Sequence, residues 1–215
     1  MFKLFHPQTL NPPNMMSFPS NTTALIIGAG PTGMACALSL SLFGVKDIVI
    51  VDASDDRQGD LSSRAFVLHA ATLEVKSLVS ILDTVPSYSI PQQALDLLGC
   101  ANTLVERGIK LSAMNYYDRS NNYLLGADFN GLIGKTHFPF CLLIPQYMTE
   151  ATLTQKLEDV GISPFRPYKA VGMHENSKDS RLVDVSFENG QSITTRYVIG
   201  ADGPRSTVHA FIFRV

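Results

Sequence analysis

The chain has 215 residues, 45% hydrophobic and 17% charged, and 17 Lys and Arg against 19 Asp and Glu leave a net charge of −2. That mix excludes long-range disorder, collagen and coiled coil. It also offers no basic excess to grip a nucleic-acid backbone.

The first twenty residues hold four of the twelve prolines and no apolar stretch followed by a small-residue cleavage site. Residues 1–21 therefore read as a flexible extension rather than a signal peptide. Met1, Met15 and Met16 serve equally well as a start. No Lys, Arg, Asp or Glu stands between Lys3 and Lys46. The window Ala24–Val45 is apolar enough to suggest a membrane span. Gly28, Gly30, Pro31 and Gly33 break it early, and a strand, a tight turn and a buried helix account for it better. The expectation is no membrane span.

Ala24–Ile27 reads as a buried strand, Thr32–Phe43 as a helix rich in small residues stopped by Gly44, and Ile48–Val51 as a second strand ending at Asp52. Together they form one βαβ unit, which requires parallel pairing. A polar loop over Asp52–Ser63 precedes a helical stretch from about Arg64 to Leu82. Ile109–Tyr117 and Tyr123–Phe129 are extended runs joined by a turn at Asp118–Asn122. After the apolar run Phe138–Ile144, Pro145 opens a helix with Leu153, Leu157 and Val160 on one face, stopped by Gly161. Tyr168–His174, Leu182–Phe187 and Ser192–Ile199 alternate as strands of an antiparallel meander, with Asn189-Gly190 as a hairpin turn. The meander is expected to cross the parallel sheet. The chain closes soon after a Gly-Ala-Asp-Gly turn, in the apolar run Ala210–Phe213.

The strongest chemical signal is Gly28-Ala29-Gly30-Pro31-Thr32-Gly33, which follows a predicted strand and opens a predicted helix. Gly28 allows the turn, Gly30 leaves room for a pyrophosphate, and Gly33 permits close packing of helix on strand. The N–H groups and positive end of the helix then face the phosphates. Asp52, at the end of the second strand, is placed to accept hydrogen bonds from a ribose, and an acid there disfavours a 2′-phosphate. The nucleotide is NAD-like or the ADP half of FAD, and the loop alone leaves both open.

Other chemistry is thin. Five histidines show no metal-ligand spacing with cysteine or carboxylate, so no metal is expected. There is no G-x-S-x-G elbow. Cys36, Cys100 and Cys141 are widely spaced and suit reduced thiols in the cytoplasm. Cys36 and the Phe138-Pro139-Phe140 stretch read as core packing.

Four stretches in order resemble the N-terminal part of the FAD-dependent aromatic-ring monooxygenases, the group of phenol hydroxylase and p-hydroxybenzoate hydroxylase. They are Leu25–Gly33 with Asp52; Ser63-Arg64-Ala65 with His69–Glu74; Ile144-Pro145-Gln146 with Thr149, Glu150 and Leu153; and Gly200-Ala201-Asp202-Gly203-Pro204-Arg205-Ser206-Thr207-Val208. The resemblance implies an α/β, Rossmann-like FAD/NAD(P)-binding fold with a parallel sheet, an antiparallel meander and part of a substrate-domain sheet. Residues 22–215 would form an incomplete FAD-binding domain, with residues 90–141 contributing to the substrate sheet. It implies FAD as cofactor and NAD(P)H as co-substrate, in hydroxylation of a small aromatic, phenolic substrate by O2. Gly28, Ala29, Gly30, Pro31, Thr32, Gly33, Asp52, Arg64, Gln146, Asp202 and Gly203 would bind cofactor, Arg64 along the pyrophosphate.

Departures accompany the match. Ala71 and His209 stand where the family often has arginine, and Phe66 stands where the phenol hydroxylase branch has a carboxylate. No catalytic base is identified. The family's further downstream Gly-Asp motif does not occur in these 215 residues, so a fragment of the enzyme is expected. The alternatives are a catalytically silent FAD-binding fragment and an NAD-dependent dehydrogenase.

Overall fold

A computed structural model describes residues 17–55, 65–69, 94–203 and 206–213. Among the described residues ten strands and five α-helices follow in chain order: β1 (Asn21–Ile27), α1 (Pro31–Leu42), β2 (Ile48–Val51), β3 (Ala65–Leu68), α2 (Ala94–Leu97), α3 (Ala101–Arg107), β4 (Ile109–Leu111), β5 (Ala113–Tyr117), β6 (Tyr123–Asp128), β7 (Cys141–Pro145), α4 (Gln146–Asp159), β8 (Ala170–Glu175), β9 (Val183–Phe187), β10 (Ser192–Gly200) and α5 (Thr207–Phe213).

The main sheet has the order β2-β1-β10-β9-β8. β1 runs parallel to β2 on one side and to β10 on the other, while β9 and β8 continue antiparallel. The meander therefore does not cross the parallel sheet. Its last strand enters that sheet, because β1 needs a partner on its second edge and Ala24–Ile27 pair with Tyr197–Gly200.

Alternation sorts the side chains of β1 and β2 to two faces. Ile26 and Ile50 join Met34, Ala37 and Leu38 of α1, Leu153 and Leu157 of α4, and Leu142 and Ile144 of β7. Leu25, Ile27, Val49 and Val51 face the other way, onto Val185, Phe187, Ile193 and Val208. Phe18 belongs to this second cluster, stacked on Tyr168 with ring centroids 4.2 Å apart. The last described residues before β1 are thus part of the fold. Each fully buried Leu or Ile contributes on the order of 1.5–3 kcal/mol.

α1 and α4 close in the same way. Val45 N–H reaches the Leu40 carbonyl after Gly44, and Ile162 N–H reaches the Leu157 carbonyl after Gly161. The sequence face Leu153, Leu157 and Val160 holds for its first two members only. Val160 is the C-cap, 50% exposed, and Ile162 turns back onto the core in its place.

Two further small sheets carry the segments between. β3, β7 and β4 form one antiparallel sheet in that order, and among the described residues β5 pairs with β6 alone. The expected helix over Arg64–Leu82 is a strand at residues 65–68. This apolar segment, Ala65-Phe66-Val67-Leu68, lies along β7, where Ala65 pairs with Pro145 and Leu68 with Leu142. Residues 70–82 fall outside the described residues. The run Ile109–Tyr117 is two strands in different sheets, broken at Ser112, whose carbonyl accepts from Phe129 N–H. The run Ala210–Phe213 completes helix α5. Among the described residues no helix is long and apolar enough to cross a membrane.

Candidate nucleotide site

The carboxyl ends of β2, β1 and β10 lie side by side, and the glycine-rich turn leaves from the middle strand. Gly28 N–H donates to the Val51 carbonyl at 2.8 Å, and Ala201 N–H donates to the Ile27 carbonyl at 2.7 Å. The first and fourth sequence motifs therefore form one crevice at the strand ends, where open α/β sheets bind ligands.

The three glycines differ in what they require. Gly28 has φ +109°, and a Cβ there would overlap the carbonyl of Ala201. At Gly33 a Cβ would overlap the carbonyl oxygen of Gly28. At Gly30 a Cβ would meet nothing within 4 Å among the described residues. The first two hold strand, turn and helix together, and the third faces space that no described residue fills.

That space lies at the head of α1. Gly30 is the N-cap, Pro31 begins the helix, no side chain among the described residues caps it, and no acidic residue stands in its first turn. The partial positive charge of the helix end is available to an anion. A pyrophosphate fits this donor arrangement and the room at Gly30, so Gly28–Gly33 would hold the diphosphate of a dinucleotide.

Asp52 is more committed than the sequence suggests. Its Oδ2 accepts from Ala29 N–H at 2.6 Å, and its Oδ1 accepts from Ser54 N–H at 2.8 Å. Arg166 Nη1 lies 3.0 Å from the same Oδ1. A carboxylate has roughly four acceptor positions. Among the described residues three are engaged, which would leave Asp52 one for a ribose hydroxyl.

Arg166 is the residue that sequence reasoning missed. It lies in a loop, far along the chain from Asp52, and no motif spacing marks it. The only signal is a lone cation among apolar and proline neighbours, Pro164-Phe165-Arg166-Pro167.

The remaining expected residues divide. Arg64 lies outside the described residues; the strand begins at the next residue, Ala65, opposite Pro145. Gln146 opens α4 without capping it, and its Nε2 donates to Glu150 Oε1 at 2.7 Å along the helix. On the same helix the hydroxyl of Thr149 is buried with no hydrogen-bond partner among the described residues.

Asp202 faces its own helix. Its Oδ2 accepts from Thr207 N–H at 2.6 Å and Val208 N–H at 3.2 Å, and its Oδ1 accepts from the Ser206 hydroxyl at 2.6 Å. Ser206 Oγ accepts in turn from His209 N–H at 3.0 Å. The first turn of α5 is thus capped from within the chain. Burial raises the Asp202 carboxyl, but the hydrogen bonds from Ser206, Val208 and Thr207 outweigh it and hold the group below its ordinary value. The backbone of Ala201 and Asp202 stays against Gly28, and Gly203 has φ +77° beyond it. Among the described residues no group of three or more His, Cys, Asp or Glu could hold a metal ion.

Comparison with known proteins agrees with this geometry. The family described as FAD binding domain matches residues 21–212. An uncharacterized aromatic compound monooxygenase of Bacillus subtilis is 28% identical over 186 residues, covering 86% of this chain and 32% of its own. Pentachlorophenol 4-monooxygenase of Sphingobium chlorophenolicum is 27% identical over 194 residues, 88% of this chain and 31% of its own. The crystal structure of p-nitrophenol 4-monooxygenase from Pseudomonas putida shares the fold with a TM-score of 0.71 at 21% identity, over 90% of this chain and 44% of that one. The chain spans about a third of the length of the curated relatives it matches. It belongs to the FAD binding domain family.

Proposed function

We propose that this member of the FAD binding domain family holds FAD by its ADP half at the crevice between Gly28–Gly33, Asp52 and Ala201. In the longer protein it would serve a monooxygenase that hydroxylates a small aromatic, phenolic substrate with NAD(P)H and O2. One observation carries the reading. Among the described residues the head of α1 carries no side-chain cap and opens onto free space at Gly30, while Gly28 and Gly33 are packed against Ala201 and each other. The loop alone left NAD and FAD open, and the family resolves that choice in favour of FAD.

The chain's own residues would divide the work. α1 and the loop neutralise and orient the diphosphate. Asp52 accepts one adenosine ribose hydroxyl. Arg64 and Gln146 would contact the cofactor further along, Gln146 from the head of α4. Ala201, Asp202 and Gly203 wall the crevice through their backbone, with the Asp202 carboxylate fixing the turn. When bound, the flavin supplies the redox chemistry, and the protein supplies orientation and electrostatics. The described cysteines, Cys36, Cys100 and Cys141, are unpaired, which supports a cytoplasmic location.

A second reading is FAD binding without turnover. It is favoured by the β5–β6 hairpin, where Tyr116, Tyr117, Tyr123, Leu124 and Leu125 are all about half exposed or more. A substrate sheet that encloses an aromatic ring would cover such side chains.

Titration of the purified chain with FAD, followed by flavin fluorescence and melting temperature, tests the site. Binding with a raised melting temperature is the expected result, and neither signal would overturn it. Phenol-dependent NADPH oxidation with hydroxylated product then separates the enzyme from the silent binder.

A further inference from the structure

We propose that Arg166 is a positioning residue for the dinucleotide, acting through Asp52 and the glycine-rich loop to cancel the negative charge that the diphosphate would otherwise meet. The inference rests on the FAD-site reading above and deepens it.

Backbone pairing delivers Arg166 to this place. Phe165 N–H donates to the Ile50 carbonyl at 2.9 Å, Asp52 N–H donates to the Phe165 carbonyl at 3.0 Å, and Tyr168 N–H donates to the Asp52 carbonyl at 2.6 Å. The segment 165–168 thus lies along the end of β2, with both main-chain groups of Asp52 paired to it. Phe165 and Tyr168 anchor it on the far side, packed with Phe18 and Phe187.

The guanidinium then joins three pieces of the site. Nη1 is 3.0 Å from Asp52 Oδ1 and 3.4 Å from the Ser54 carbonyl, and Nη2 is 3.3 Å from the Ala29 carbonyl. The planar fork reaches acid and loop together, as a single ammonium does not. Both side chains are mostly buried, at 17% and 18% exposure, so water screens the pair less than it would at the surface.

The charge argument follows from position. Asp52 Oδ2 sits 2.6 Å from Ala29 N–H, within the turn that would receive an anionic diphosphate. An unpaired carboxylate there repels it, and the roughly half charge of a helix end offsets only part of that. With Arg166 in place the carboxylate keeps its acceptor position for ribose while its charge is balanced.

ADP carries both groups concerned, and its binding to the 215-residue chain can be measured by calorimetry at ionic strengths of about 0.01 M and about 0.15 M. Arg166→Met should weaken ADP by about tenfold or more at low salt and by less at high salt. Arg166→Lys, which keeps the charge, should recover most of the low-salt loss. Unchanged affinity in Arg166→Met would overturn the proposal. So would an equal loss at both salts shared by Arg166→Lys, because that is the behaviour of a structural brace. A wild-type chain that binds neither ADP nor FAD would instead overturn the site itself.

Discussion

Gly28 and Ala201 meet with no space for a side chain between them: a Cβ on Gly28 would overlap the Ala201 carbonyl, and Ala201 N–H closes the contact on Ile27 at 2.7 Å. The two glycine-containing motifs of the sequence are therefore one structure, joined by the parallel pairing of β1 with β10. Gly33 adds a second close approach, onto the Gly28 carbonyl. Gly28→Ala and Gly33→Ala should each cost about 2 kcal/mol or more, from backbone overlap and, at Gly28, a positive φ. For a chain of this size, melting should fall by about 4–8 °C. An unchanged melting temperature in both variants would contradict this packing.

Gly30 should behave differently. No described residue lies within 4 Å of a Cβ built there and its φ of −76° suits any residue, so Gly30→Ala should hold stability within about 0.5 kcal/mol. Flavin affinity should nonetheless fall by tenfold or more, because the methyl group takes the room of the pyrophosphate. Melting curves and FAD titrations on the three glycine variants separate the roles. Equal FAD affinity in wild type and Gly30→Ala would remove the diphosphate from this position.

The β1-α1-β2 unit was legible because its signals are local: an apolar strand, a glycine-rich turn and a helix closed by Gly44, all within about thirty residues. The same holds for α4, bounded by Pro145 and Gly161, and for the β9–β10 hairpin at Asn189-Gly190. What stayed hidden depends on partners distant in sequence. β3 is a strand because β7 pairs with it, and a helical reading of Arg64–Leu82 does not see β7. The meander's place in the main sheet follows from β10 joining β1. Arg166 and Asp52 share a site only after the segment 165–168 is laid along β2. Asp202 was legible as a motif, but its role in capping α5 was not, since the apolar run Ala210–Phe213 carries no helical period of its own.

Several carboxylates make the fold sensitive to acid. Asp179 is held down to about 2 by its hydrogen bonds from Arg181; the side chain of Asn122 lowers Asp118, and Thr194 and Asn176 lower Asp184. For Asp202, burial raises the group but the α5 cap hydrogen bonds outweigh it. A carboxyl lowered in the native state binds fewer protons there than in the unfolded chain, so its stabilisation is present above the unfolded value of about 3.9 and is lost as pH falls through the folded value. Denaturant midpoints should be level from about pH 7 to about pH 5 and fall below about pH 4. Asp202→Ala should cost about 1 kcal/mol at pH 7 through loss of the cap, and less at pH 3. A cost that grows on acidification would show that the carboxylate is not the capping form.

Thr149 offers a test in the opposite direction. Its hydroxyl is buried inside the face of α4 that carries Leu153 and Leu157, and it finds no partner among the described residues. A buried hydroxyl without a hydrogen bond costs about 1–3 kcal/mol relative to solvent. Valine has nearly the same shape and lacks that cost, although its branched side chain gives a little back in helix propensity. Thr149→Val should therefore raise unfolding stability by about 1 kcal/mol in the cofactor-free chain, read as a higher denaturant midpoint at unchanged slope. The comparison with FAD then assigns the hydroxyl. If the stabilisation persists when FAD is bound, Thr149 is a packing residue of α4. A gain that disappears or reverses with FAD would mean that the cofactor supplies the missing hydrogen bond, and would move the head of α4, with Gln146, into direct contact with it.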